Sequence, residues 1–256
     1  MEQPASSQPL SHADILQLTR WNTPTIFNGW EQVTKRNAAR DCFNQEEPRD
    51  FMPQMGSMAG YAITVVIEPG NPKHPRENAA AWAEYRAYVA SVPGPNVVVV
   101  QDLDKPKLYG GFWGEVNSSV HRALGCVGAV IDGGIRDLDE MTTVGFKALA
   151  RRLCVGHAHS WPVRWNCEVD VFGCRVSPGQ FIHADKHGFL ALPGEDLPGL
   201  LDAVRFMDEN ECRTILPAAR GHAGKSNMEI LADIQAAGSA FSRNVQKRFG
   251  ARGGEW

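Results

Sequence analysis

Two carboxylates and a guanidinium, Glu115, Arg136 and Asp137, are the residues whose types and spacing could do chemistry together. Twenty residues separate Glu115 from Arg136, the length of one helix and one strand, so the three can meet in space. A hard divalent ion such as Mg²⁺ is often held by one or two carboxylates, with waters and substrate oxygens completing its octahedron. An arginine beside it can grip a carboxylate through its planar fork. Such a set suits a 2-oxo acid. The cation would chelate carboxylate and keto oxygens and stabilise the enolate charge formed on bond cleavage. The Arg-Asp dipeptide has a plainer reading too, as an ion pair that only caps a turn, because charged pairs are often structural.

The elements that must position these residues lie between Gly114 and Asp137, GEVNSSVHRALGCVGAVIDGGIRD. Val116, Val120, Ala123 and Leu124 repeat at helical spacing, which puts Glu115 at or near a helix N-terminus. The run Cys126 to Ile131 is short, β-branched and flanked by glycines, as a fully buried strand should be. Asp132-Gly133-Gly134 predicts a sharp turn, since glycine tolerates positive φ at little cost. That turn would present Arg136 and Asp137 side by side.

Upstream, Ser11 caps a short helix offering Ile15, Leu16 and Leu18 for packing. A second helix is expected from about Ile26 to Val33, and residues 34–54 read as a surface loop. Strands follow after Gly60 (YAITVVIEP) and at Asn96 to Gln101, with a helix carrying Trp82, Tyr85, Ala87 and Val89 between them. Phe146 to Val155 is a further strand. Beyond it come short strands at Glu168 to Val176, kinked at Gly173, at Gln180 to Ala184 and at Phe189 to Leu192. Helices are expected over Leu197 to Glu209 and Asn227 to Arg248. Helix–strand alternation followed by clustered short strands is an α/β pattern.

The bulk properties exclude several classes. A chain of 256 residues, 43% hydrophobic, suits one large domain with appendages. A formal net charge of −3 gives no electrostatic reason to expect nucleic acid. The six cysteines form no C-x-x-C pair, so a reducing, cytoplasmic setting is the simplest account. The first ten residues lack the basic start and apolar stretch of a signal peptide, and no run approaches a membrane span.

Other candidates carry plainer alternatives. His183, Asp185 and His187 form H-x-D-x-H, which on a strand would place alternate side chains on one face as metal ligands, yet such ligands need a supporting second shell. His157, His159 and Ser160 hint at a hydrolase without the G-x-S-x-G that would support it. Gly110-Gly111-x-x-Gly114 could cradle a phosphate but reads as the loop framing the acidic pocket. Trp113 is placed to pack, or to roof the site, and His121 is a helix-face residue.

Gly114-Glu115, the run Gly125 to Asp137 (GCVGAVIDGGIRD) and Val176 to Pro193 (VSPGQFIHADKHGFLALP) resemble the regulator of ribonuclease E activity A-like family. That family includes class II pyruvate aldolases acting on 4-hydroxy-4-methyl-2-oxoglutarate and 4-carboxy-4-hydroxy-2-oxoadipate. The likeness runs from about Thr23 to Pro193, and the aldolase branch is marked by an acidic residue, twenty residues, then Arg-Asp. Here Glu115 stands where many bacterial members carry Asp.

The resemblance implies a swivelling β/β/α sandwich-type single domain with N-terminal helices and a C-terminal helical extension. It implies an N-terminal arm and helix over 1–20, the α/β domain over 21–217 and a helical tail over 218–256. Assembly would be a homotrimer or dimer of trimers, with sites between subunits. Asp137 would be the direct ligand of Mg²⁺ or Mn²⁺, and Glu115 would orient metal-bound water. Arg136 would contact the substrate carboxylate and keto group. After Gly114, the N–H groups of Val116 and Asn117 would hold the other end of pyruvate. A glutamate from a neighbouring subunit, Glu209 or Glu211, would complete the site, whereas His183, Asp185 and His187 would fall in a structural turn region. The activity implied is retro-aldol cleavage of a 4-hydroxy-2-oxo acid to pyruvate, with oxaloacetate decarboxylation on the side. The alternatives are a non-catalytic, protein-binding regulator of a ribonuclease, or a lyase or hydratase on another oxo acid.

Overall fold

Val97, Val98, Val99 and Val100 are all fully buried, because the sheet they belong to is covered on both faces. The computed structural model describes residues 10–250, and among these described residues there are nine α-helices and eleven strands. In order these are α1 (His12–Leu18), α2 (Thr23–Val33), β1 (Arg49–Asp50), β2 (Met58–Ile67), α3 (His74–Glu77), α4 (Ala81–Ser91), β3 (Asn96–Asp102), β4 (Gly111–Trp113), α5 (Glu115–Ala123) and β5 (Cys126–Ile135). Then come α6 (Leu138–Val144), β6 (Lys147–Leu153), β7 (Pro162–Trp165), β8 (Val169–Val171), β9 (Cys174–Val176), β10 (Phe181–Asp185), β11 (Gly188–Leu192), α7 (Leu200–Arg213), α8 (Ile215–Arg220) and α9 (Asn227–Phe249). Contacts divide the chain into two units, residues up to 23 with 39–194, and 24–38 with residues from 195 onward.

In the first unit β2, β3, β5 and β6 run parallel in the order β6-β5-β3-β2. Parallel neighbours need crossover connections, and α4, α5 and α6 supply them. The hairpin of β10 and β11 adds antiparallel beside β2, and β1 adds beside β6. Phe43 bridges to Leu190 on β11 while Arg49 pairs with Ala150 on β6, so one short segment reaches both edges and nearly closes the sheet. Side chains alternate across the strands. Val98 and Val100 pack with Tyr85 and Val89 of α4 and Met141 of α6. Val97 and Val99 pack with Val169 and Val171 of β8 and with Cys174 and Val176 of β9. The layers are therefore helix, main sheet and two-stranded ribbon, the mixed α/β class with the β/β/α layering expected.

The glycine run after Ile131 does not turn. Asp132, Gly133 and Gly134 continue β5 to Ile135. Asp132 is fully buried there, held by Lys105 Nζ at 2.6 Å, by Arg151 and by the Phe172 N–H at 2.9 Å. The glycines serve close approach, because a Cβ on Gly134 would lie 2.9 Å from Cys154 Sγ and one on Gly133 3.0 Å from Asp102 Oδ2. Where β3 ends, β4 takes over its lane and pairs Gly111 with Gly134 and Trp113 with Ile135. The segment Gly110–Trp113, read from sequence as a loop, is partly a strand for this reason.

The second unit is helical. Met207 and Ile215 pack with Phe241 and Val245 of α9, and Asn210 donates to the Phe241 carbonyl at 3.1 Å. Asp196 accepts from Trp30 Nε1 at 2.8 Å and from Thr34 Oγ1 at 2.6 Å. A full capping box between Ser226 and Glu229 opens α9.

Candidate active site

Helix α5 starts at Glu115 with Gly114 as its N-cap, and no side chain caps it. The first N–H groups of a helix have no intrahelical partner. Here the Glu115 N–H donates to Asp137 Oδ2 at 3.1 Å. The next two, on Val116 and Asn117, stand at the wall of a cavity of about 400 Å³ that Gly114, Glu115 and Arg136 also line. Such a helix start favours an anion through its aligned N–H groups and dipole.

Asp137 is drawn to that start from the far end of β5. It sits at φ 56°, ψ 49°, the left-handed region, as the N-cap of α6; Asp is among the few residue types that adopt this conformation readily. Arg136 Nε lies 3.5 Å from Asp137 Oδ2, and Arg136 Nη1 donates to the Val155 carbonyl at 3.3 Å. Gly114 makes the approach possible. A Cβ there would lie 2.5 Å from Asp137 Oδ2 and 3.2 Å from Arg136 Nε, while its φ of −164° is ordinary extended backbone. The glycine is required for space.

Glu115, Arg136 and Asp137 are thus gathered around the start of α5, as their spacing allowed. The buried face of α5 is another matter. Val116 is 74% exposed, and the fully buried positions are Ser118 and His121. His121 lies between Tyr85 Oη at 3.0 Å from Nε2 and the Asn117 carbonyl at 2.8 Å from Nδ1, edge-on to Trp113. Burial lowers it to about 4, against the opposing Asn117 contact, so it is a neutral core residue that fixes the helix. Trp113 is fully buried and packs on His121 and Phe146.

Of the remaining wall, His157, His159 and Ser160 stood out in the sequence only as a hydrolase hint, and Trp82 and Arg86 not as a site. Trp82 and Arg86 of α4 and the segment His157 to Trp161 complete the cavity. That segment is pinned by Ser160 Oγ donating to the Gly111 carbonyl at 3.1 Å, the His159 N–H to the Pro69 carbonyl at 3.0 Å and Trp161 Nε1 to the Asn78 carbonyl at 2.9 Å. Ser160 spends its hydroxyl on backbone carbonyls, which gives no support to a hydrolase. For Trp82 and Arg86 the i, i+4 spacing was the available signal.

His183, Asp185 and His187 lie elsewhere. His183 is fully buried, 3.0 Å from Thr23 Oγ1 and 3.2 Å from the Leu18 carbonyl, and burial lowers it to about 4. Asp185 accepts from the N–H groups of Thr23 and His187. His183 and Asp185 tie the end of α1 and Thr23 to β10. Glu209 pairs with Arg213 at 3.0 Å and Glu211 accepts from Asn28 at 3.2 Å, both on α7 of the second unit.

A nearly closed mixed sheet between helices and a β-ribbon, with an Arg-Asp pair brought to a helix start, defines the class. The chain belongs to the RraA-like (Aldolase/RraA) family, whose model matches residues 23–191, and that family includes both ribonuclease E inhibitors and 2-oxo-acid aldolases. A relative, protein DlpA of Legionella pneumophila, is 23% identical over 141 residues, 53% of this chain and 23% of that protein. The match thus spans about a quarter of the relative's length. An uncharacterized protein from Pseudomonas syringae pv. tomato superposes with a TM-score of 0.67 at 18% identity, covering 91% of this chain and 99% of the other. Streptomyces coelicolor RraAS2, described as an unusual member of the RNase ES inhibitor RraA family, gives a TM-score of 0.60 at 20% identity over 80% and 96% of the two chains. At these identities the likeness is one of fold. Among the described residues, no helix is long and apolar enough to cross a membrane.

Proposed function

We propose that this chain is a divalent-metal-dependent lyase that cleaves a 4-hydroxy-2-oxo acid by retro-aldol reaction into pyruvate and a second carbonyl compound. The observation that carries the reading is the Asp137 carboxylate held at the start of α5 beside Arg136, which lines a cavity. The donors fit Mg²⁺ or Mn²⁺. Among the described residues the polar contacts of the Asp137 carboxylate run through Oδ2, which leaves Oδ1 for a cation, and Glu115 lines the cavity. No group of three or more His, Cys, Asp or Glu side chains among the described residues offers a cage. Waters and substrate would therefore complete the shell, the habit of a hard ion that dehydrates reluctantly. When bound, the ion supplies Lewis-acid polarisation of the 2-oxo acid.

The chain's own groups do the rest. Arg136 grips the carboxylate and keto oxygens through its fork, and the N–H groups of Val116 and Asn117 take the remaining oxygens. A water held by the two carboxylates accepts the C4 hydroxyl proton. The C3–C4 bond breaks, its electron pair passes to C3, and charge spreads onto the keto oxygen facing Arg136. Protonation at C3 then yields pyruvate. Oxaloacetate would lose CO₂ through the same enolate, so decarboxylation is the natural side activity.

Val116, 74% exposed, lines the cavity with Arg136, and Val155, 94% exposed, accepts a hydrogen bond from Arg136 at its carbonyl. An apolar rim of this kind suits coverage by another copy of the chain, in keeping with sites between subunits in a trimer or dimer of trimers. The rival role of a non-catalytic ribonuclease regulator has no use for the Arg-Asp pair at the helix start. The test is a pyruvate-release assay over a panel of 4-hydroxy-2-oxo acids and oxaloacetate, with EDTA and with added Mg²⁺. Release should require the metal and fall at least about 100-fold in Arg136→Gln and Asp137→Asn. Full release in EDTA, or from both variants, sinks the reading.

A further inference from the structure

Among the described residues Arg86 is a cation without a counterion. Its guanidinium lies over the Trp82 indole, 4.8 Å from the ring centroid, and both residues line the cavity that holds Arg136. Trp82 in turn stacks flat on Phe112, at 5.4 Å and 8°, and meets Trp161 edge-on at 6.1 Å. The arginine rests on a slab of aromatic rings. Stacking satisfies only the face of a guanidinium, whose five N–H donors point outward in its plane. Among the described residues none of these donors has a hydrogen-bond or ion-pair partner, and Nε is buried without one. Other arginines of the chain, Arg36, Arg136, Arg151 and Arg213, each have a carboxylate within salt-bridge distance.

Of the Arg86 donors Nε is out of contact with water, and an unpaired buried donor is costly. A purely structural Arg86 would bear that cost for a cation–π contact worth little at a half-exposed site. Its charge also disfavours protonation of nearby His121, after the larger effect of burial. Among the described residues no carboxylate lies within salt-bridge distance of the cation, whereas the cavity it lines is large enough for a small ligand.

We propose that Arg86 is a specificity-determining residue that holds a second oxyanion, carboxylate or phosphate, on a substrate whose 2-oxo acid end is held by Arg136 and the start of α5. The identity of that 2-oxo acid end rests on the lyase reading. The second anion follows from Arg86 alone. The aromatic slab supports the guanidinium beside the cavity, which pre-organises its fork for bidentate binding. The substrates selected are then 2-oxo acids with two anionic ends, and those with one are discriminated against because the guanidinium is left unpaired.

Calorimetric titration of the full chain with Mg²⁺ present tests this independently of turnover, using 2-oxoglutarate, 4-phosphono-2-oxobutanoate and the uncharged-tail control 2-oxopentanoate. The wild-type protein should bind at least one dianion about 10- to 100-fold more tightly than the control, the worth of a hydrogen bond to a charged group. Arg86→Gln should bring that ratio to within about threefold while leaving the affinity for 2-oxopentanoate unchanged, and Arg86→Lys should retain part of it. Which dianion is preferred separates carboxylate from phosphate. A wild-type protein that prefers neither dianion, or a preference that survives Arg86→Gln, overturns the inference. Should the preference depend on Arg86 while no 4-hydroxy-2-oxo acid yields pyruvate, the lyase reading falls and the anion site stands. Should pyruvate be released while the ratio is indifferent to Arg86→Gln, the anion site falls and the lyase stands.

Discussion

Gly114 concentrates the chemistry of the site in a missing methyl group. A Cβ there would press on the terminal oxygen of Asp137, the movable end of a side chain, and on Arg136. Gly114→Ala should therefore fold with a melting temperature close to wild type, while pushing the Asp137 carboxylate off the Glu115 N–H. Pyruvate release should drop by one to two orders of magnitude, roughly the loss of a charge-assisted hydrogen bond at the reacting end; a fully active Gly114→Ala protein contradicts the role given to Asp137. Asp137 is better tested as Asn than as Ala, because Asn also tolerates the left-handed backbone found there. At this scale the sequence was informative about identity and spacing. It misled on side-chain direction: Val116 and Val120 had the helical period, yet His121 took the buried position because Tyr85 and Trp113 meet it there.

Elements succeed or fail by how closely their backbones approach. Gly29 of α2 faces Val204 of α7 so tightly that a Cβ would lie 2.4 Å from Val204 Cγ2 and 2.6 Å from its Cα. The backbone cannot move aside as a side chain can. Gly29→Ala should gain a little helix propensity and still lose about 1–3 kcal/mol to overpacking, read as a lower urea midpoint in equilibrium unfolding; an unchanged or higher midpoint would mean the two helices can separate without loss. The same physics explains why the chain does not turn after Ile131. Glycine next to Asp signals a bend in isolation, but in β5 it marks where Cys154 and Asp102 crowd the strand. Conversely, Leu138–Val144 and Pro162–Trp165, α6 and β7, leave no clear signal in the sequence because each is short and owes its form to neighbours.

Stability of the whole molecule should respond to pH through groups that titrate in opposite senses. Asp102 at the end of β3 is raised to about 7, chiefly by burial, against the Asp104 N–H and with nearby carboxylates adding. A carboxyl raised on folding contributes stability that is fully present below its ordinary value of 3.8 and is lost as pH climbs through about 7. His121 and His183, each lowered to about 4 by burial, contribute stability present above 6.5 and lost as pH falls through about 4. Asp102→Asn removes the first slope alone. Relative to wild type it should gain stability from pH 4 to pH 7 and no further above, by a few kcal/mol at most on the order of the shift. Urea unfolding of both proteins at pH 5 and pH 8 checks this; a stability difference that does not grow with pH refutes the assignment.

The linear order of residues determined the periodicities that make α/β elements, the caps at Ser11 and Ser226, and the interval that lets Glu115 and the Arg136-Asp137 pair meet. These are local properties, set by backbone sterics and by side chains a few positions apart. Only the tertiary structure decided that Asp137 would reach a helix start across Gly114, that the glycines of β5 serve contact instead of turning, and that Arg86 would line the cavity with no carboxylate among the described residues within salt-bridge distance. Those outcomes depend on which remote groups come within a few ångströms of one another. Distance through space, on which charge pairing and steric exclusion act, is not written in distance along the chain.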